Sequence, residues 1–315
     1  MAGMSEQVLP SGEQWTIRHG EHEAVVTEVG ATLRSYTYAG RPVIVGSPQD
    51  APALHARGTV LIPWVNRIRD GHYTFDGTER QLALSEPARH NALHGLVQWL
   101  PWSPVRVEDD RVTMRARLHP QQGWDWTLDL RLDYRLDDDG LTVTPTVTNV
   151  GDATAPLGVG AHPYLTVGED RVDDLEIRCP AASYVAVDPD RLLLADDTVA
   201  ASLRPVEGTP QDLRDAVVGD RDLDTAMTGL TADDDGRWRI TIAHGGRSTT
   251  LWADADAFPW TQVYTGHDLP EGYAHTSGLA VEPLTAAPDA FRTGEDVVRL
   301  GPGRAWSASW GLTPR

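Results

Sequence analysis

The sequence predicts an all-β chain: an antiparallel β-sandwich, with residues 1–315 forming a single domain. Three observations carry this. Apolar and polar residues alternate with a period of two along several stretches. Acidic and glycine-containing turns separate those stretches, and helical signals are few and short.

Taken in order, residues 49–57 read as one short helix. Val105 and Val107 begin an alternation that passes through a turn at Glu108–Arg111 and returns as Val112, Met114, Ala116 and Leu118. From Trp126 to Leu136 every even position is apolar, while Thr127, Asp129, Arg131, Asp133 and Arg135 occupy the odd ones. That pattern is a strand with one packed and one wet face. Asp137-Asp138-Asp139-Gly140 then turns the chain, and Leu141, Val143 and Val147 continue the alternation as a hairpin. Thr209-Pro210-Gln211-Asp212 has the N-cap, early proline and acidic first turn that start a helix. A second Asp-Asp-Asp-Gly turn at Asp233–Gly236 precedes Trp238, Ile240 and Ile242, with a return strand over Thr249–Ala253. The aspartate clusters lack the ligand spacing of a calcium loop, so they read as turns.

Composition narrows the function. The formal net charge is −19, with no lysine and arginine alone carrying positive charge. So acidic a chain is a poor partner for nucleic acid or an anionic membrane. No apolar run is long enough to span a bilayer and the start has no signal-peptide pattern, which predicts a soluble, cytoplasmic protein. One cysteine, Cys179, excludes an internal disulfide and a cysteine-based zinc cluster, and reads as a small buried apolar side chain.

The constrained stretch is Gly158-Val159-Gly160-Ala161-His162-Pro163-Tyr164-Leu165. Its glycines permit a sharp turn or close approach, and Pro163 holds His162 extended. His162 is therefore either an aimed titratable group or a hydrogen-bonded core residue. Four further polar clusters lie beside turn or strand-end signals. They are Asn66-Arg67-Ile68-Arg69-Asp70-Gly71, Asn91-Ala92-Leu93-His94-Gly95-Leu96, Leu223-Asp224-Thr225-Ala226, and Val281-Glu282-Pro283-Leu284-Thr285 with Pro288-Asp289-Ala290 behind it. Singly, each has an ordinary surface or capping explanation. His90 and His94 are four apart, but the helical zinc motif is missing. No dinucleotide fingerprint, phosphate-binding loop or nucleophile elbow is present.

Together, from about Trp64 to Phe291, these motifs resemble the aldose 1-epimerase (galactose mutarotase) family. The resemblance implies a β-supersandwich and interconversion of the anomers of a free hexose such as glucose or galactose, with no cofactor and no metal. It implies Glu282 as general base on the C1 hydroxyl and His162 as general acid on the ring oxygen. His94 would help hold or protonate that region, Arg67 and Asp224 would bind sugar hydroxyls, and Gln262 in Trp260-Thr261-Gln262-Val263 would add a contact. An ionised Glu282 would favour protonated His162. The two would lie on opposite sides of one hemiacetal, and the assembly would be a monomer or homodimer.

Departures from the family pattern fall at Leu96, where many relatives have a second glycine, and at Gly123-Trp124-Asp125-Trp126. Both bear on sugar preference. Trp64, Trp99, Trp102, Trp124 and Trp260 lie near the motifs, as core filling or as a platform for a sugar ring. Three other functions fit parts of the pattern. One is sugar binding without catalysis. Another is glycoside cleavage by Asp224 with Glu282. The third is epimerisation of a hexose 6-phosphate held by Arg67 and Arg69.

Overall fold

A computed structural model describes residues 8–168, 171–270 and 278–315. Its elements are almost all strands, with two four-residue helices at Val199–Ser202 and Ala290–Thr293. Two large antiparallel sheets dominate, one of ten strands and one of eight.

The ten-stranded sheet contains the predicted hairpins. Leu128–Asp137 pairs with Gly140–Asn149 from Leu128 opposite Asn149 to Asp137 opposite Gly140. Its even positions are buried and its odd ones wholly or partly exposed, as period-two packing requires. Ser103–Val107 and Arg111–Leu118 extend one side of this sheet. Arg237–His244 and Arg247–Asp254 form the second predicted hairpin. The packed face contributes Leu130, Leu132, Tyr134, Ile240, Ile242 and Leu251 to the main apolar core. Cys179 is buried there, and burial pushes its thiol up to about 12.

Both expected helices need correction. Residues 209–212 form a turn: the Thr209 hydroxyl donates to the Val206 carbonyl, and the Gln211 amide donates back to that hydroxyl. This local bonding competes with a helix start. Within 49–57 only a single 3-10 turn forms, Leu54–Ala56, with His55 at φ 56°. No helix among the described residues is long and apolar enough to cross a membrane.

The eight-stranded sheet positions the polar motifs. In it Asp224–Thr228, Trp260–Tyr264 and Leu279–Leu284 are neighbours. Gln262 lies directly opposite Glu282, and Asp224 opposite Tyr264. The far side of Leu279–Leu284 meets two short strands, Gly160–Ala161 and Tyr164–Leu165. Gly160 stands opposite Leu284 and Tyr164 opposite Ala280, so the shared register brings residue 162 level with residue 282.

Gly160 serves close approach rather than a turn. A Cβ there would meet Leu284 Cδ2 at 2.6 Å, Val65 Cγ1 at 2.9 Å and the Pro283 carbonyl at 3.0 Å. Gly160→Ala should therefore lower stability by about 1–3 kcal/mol through overpacking. Urea denaturation checks this; an unchanged midpoint means the two strands have room to part.

Candidate active site

Three local constructions aim the polar residues at one place. The first is the strand Leu279–Leu284, buried at all six positions, which carries Glu282 into the protein at 2 % exposure. The second is the interruption at His162. Its amide donates to the Thr59 carbonyl and its own carbonyl accepts from Gly58, so its backbone bonds away from Glu282. The third is the pairing of Arg67–Arg69 with Asn91–Leu93. Beyond that ladder the His94 amide donates to the Asn66 carbonyl, with His94 at φ 61° and Gly95 at φ 81°. A side chain at Gly95 would strike the Ile62 carbonyl at 2.1 Å, so glycine is required where the chain leaves the site.

Asp289 joins this ladder to the Pro288-Asp289-Ala290-Phe291 motif. It is fully buried, its carboxylate accepts from the Arg69 amide at 2.9 Å, and its amide donates to the Arg67 carbonyl at 2.8 Å. Phe291 packs on Trp64 and Tyr73. The motif's contribution is thus to hold the strand bearing Arg67.

The result is a cleft of about 410 Å³ whose lining includes Arg67, His94, His162, Asp224 and Glu282. Gln262 lies beside it at 2 % exposure, its side-chain amide donating to Asp224. Two larger hollows, about 570 and 760 Å³, are lined largely by the ten-stranded sheet. Neither contains a buried titratable side chain among the described residues, so chemistry points to the smaller cleft.

His162 Nε2 lies 3.2 Å from Glu282 Oε1, with both side chains almost fully buried. They stand side by side, in contact with each other rather than apart across the cleft. The Tyr164 ring stacks on His162 at 4.9 Å and the His94 ring meets it edge-on at 5.3 Å. Burial, reinforced by the Asp224 charge, pushes the Glu282 carboxyl well above its usual range. Burial also lowers His162, to about 3, and holds His94 well below the ordinary imidazole range. Desolvation thus works against both charged forms, the ionised Glu282 and the protonated His162 that the resemblance implies. Among the described residues, His94 Nδ1, His162 Nδ1, Gln262 Oε1 and Glu282 Oε2 are buried with no hydrogen-bond partner.

Arg67 is held between two carboxylates. Its Nε and Nη2 donate to Glu86 at 3.0 and 3.1 Å, and Nη2 lies 3.3 Å from Asp224 Oδ2. Burial opposes its charge, but Asp224 and Glu86 more than compensate and raise its pKa. Asn91 fastens Glu86 in turn, donating to Oε2 at 2.9 Å, while Arg191 Nη2 donates to the Asn91 side-chain carbonyl. Glu86 escaped the sequence reading because Ser85-Glu86-Pro87 resembles a solvated turn.

Arg69 is absent from the cleft lining and lies near Asp289 and the Leu194 carbonyl, so it does not join Arg67 in a phosphate pocket. His90 is exposed and bonds Asp70, apart from His94. Trp64, Trp102, Trp124 and Trp260 are buried, whereas Trp99 is 57 % exposed on the cleft rim. The Gly123–Trp126 departure touches packing, with Trp124 against Trp126, rather than the cleft lining.

The model of the aldose 1-epimerase family matches residues 13–313. The chain is 34 % identical to the uncharacterized protein YihR of Escherichia coli strain K12, over 93 % of this chain and 91 % of that one. It is 26 % identical to the galactose mutarotase of Bos taurus, over 74 % and 71 % of the respective chains. A crystal structure of a GalM/aldose epimerase homologue from C. elegans shares the fold, with a TM-score of 0.81 and 20 % identity over 96 % of this chain and 98 % of that one.

Arg67→Met removes the cation between Glu86 and Asp224 and leaves Glu86 only the more distant Arg89, at 3.5 Å. Because both retain some solvent, we expect a loss of about 3 kcal/mol, the low end for a broken buried pair. Urea unfolding measures it; a change below about 0.5 kcal/mol, the scale of an ordinary surface substitution, contradicts the clamp.

Proposed function

The chain belongs to the aldose 1-epimerase family, and from that premise we propose that it interconverts the α and β anomers of a free aldose. Glu282 and His162 are the acid–base pair. The observation that carries this reading is their 3.2 Å contact beside the cleft, between a buried carboxyl and a buried imidazole.

Ring opening removes a proton from the C1 hydroxyl and delivers one to the ring oxygen. Both oxygens are bonded to C1, so two adjacent side chains can reach them from one side. Glu282 accepts the hydroxyl proton as the C1–O5 bond breaks, and His162 supplies a proton to O5. The open-chain aldehyde rotates about C1–C2. The hydroxyl then attacks the other carbonyl face, and both transfers reverse. Arg67, Asp224 and Gln262 hold the remaining hydroxyls, and His94 packs His162 in place.

Proton count reconciles this with the burial of the pair. Catalysis requires carboxylate and imidazolium, which together hold one proton. The neutral carboxyl–imidazole pair also holds one. Moving that proton across the 3.2 Å contact converts one form to the other with no change in total charge. The pair therefore titrates as a unit.

The pH dependence follows. As pH falls toward about 3, His162 gains a second proton for the pair and the base is lost. As pH rises through the elevated Glu282 value, the single proton leaves and the acid is lost. The expected kcat/KM profile is a bell with its alkaline limb above the ordinary carboxylate range. Polarimetry corrected for solvent-catalysed mutarotation measures it. A rate that keeps climbing through the alkaline limb rules out the one-proton state.

Glu282→Gln should lower kcat by about 10²–10⁴-fold, the usual worth of a general acid–base group. The assay follows the optical rotation of fresh α-D-glucose or α-D-galactose. A panel of neutral, phosphorylated and sulfonated aldoses in anomer-exchange NMR then identifies the preferred sugar. Binding without acceleration of anomer exchange for any of them makes this chain a sugar-binding protein instead.

A further inference from the structure

His94, His162 and Glu282 each present a ligand atom within 4.8 Å of the other two, and all three side chains are buried. Two imidazoles and one carboxylate with an open fourth position is a donor set that suits zinc. Donors around tetrahedral zinc stand roughly 3.3 Å apart, given bond lengths of about 2.0–2.1 Å. One edge of the triangle already has that length, His162 Nε2 to Glu282 Oε1 at 3.2 Å. The cleft lined by these residues provides the open side.

We propose that this triad binds a divalent transition cation of the zinc class, reversibly and in place of the sugar. The assignment rests on the geometry of three side chains and stands apart from the reaction proposed above. The Arg67 charge near the site is already matched by Glu86 and Asp224.

The surroundings also explain why the ion is a visitor rather than a resident. A metal-bound histidine usually donates its second ring nitrogen to an acceptor, and loss of that bond costs about 10–100-fold in affinity. Here His94 Nδ1 and His162 Nδ1 are buried and find no hydrogen-bond partner among the described residues. Such a site binds metal more weakly than a structural zinc centre and lets it exchange.

Two measurements on the full chain test this. Crystals soaked in zinc chloride should give an anomalous peak at the zinc edge between the three side chains. In solution, cobalt(II) should produce a visible d–d band that zinc abolishes. The band should disappear in His94→Asn and in Glu282→Gln and persist in His90→Gln, with far-ultraviolet circular dichroism verifying the fold of each variant. Zinc bound elsewhere, or a cobalt band that survives in a folded Glu282→Gln variant, overturns the assignment. So does the absence of any band in the folded wild-type protein with millimolar cobalt. These readouts do not depend on turnover, so an inactive protein can still pass them and an active one can fail.

Discussion

Everything in the cleft depends on one antiparallel register. Gly160 opposite Leu284 and Tyr164 opposite Ala280 leave His162 and Glu282 no choice but to meet. A separation of 120 residues in sequence (282 − 162) is closed by backbone hydrogen bonds on either side of the pair rather than by the pair itself. A one-residue slip would send Glu282 to the other face of its sheet. The small Gly160, against which Leu284 and Val65 close, lets the strands approach far enough for that register to form.

The same burial that fixes geometry sets the electrostatics. Carboxyl and imidazole are both held away from their charged forms, while Arg67 keeps its charge because Glu86 and Asp224 surround it. Charge is thus stabilised at Arg67 and resisted at the neighbouring His162–Glu282 pair. A ligand that brings its own polar groups to the four buried atoms left unpartnered among the described residues changes that balance, because it supplies those hydrogen bonds.

Much of the fold was legible because period-two alternation is local. Strand Leu128–Asp137 and its hairpin partner follow from residue order alone. The helix expected at Thr209 failed because a threonine that can cap a helix can equally close a turn, and the chain beyond it returns to a strand at Ala216–Val217. At the site, the motifs named the cleft residues, but their supports were invisible. Glu86 reaches Arg67 only after Arg67–Arg69 pairs with Asn91–Leu93, and Asp289 reaches Arg69 across 220 positions. The electrostatic setting was illegible for a related reason: two titratable groups near each other suggest an ion pair, and depth of burial, which works against it, is a property of the whole fold.

The indole of Trp99 has a spectroscopic consequence. Among the described residues it is the only strongly exposed tryptophan, and it stands at the mouth of the cleft while most of the others lie inside the protein. Its emission is accordingly the one most open to aqueous quenchers. Any molecule occupying the mouth would screen that ring, so the native chain carries its own optical gauge of occupancy and needs no attached dye.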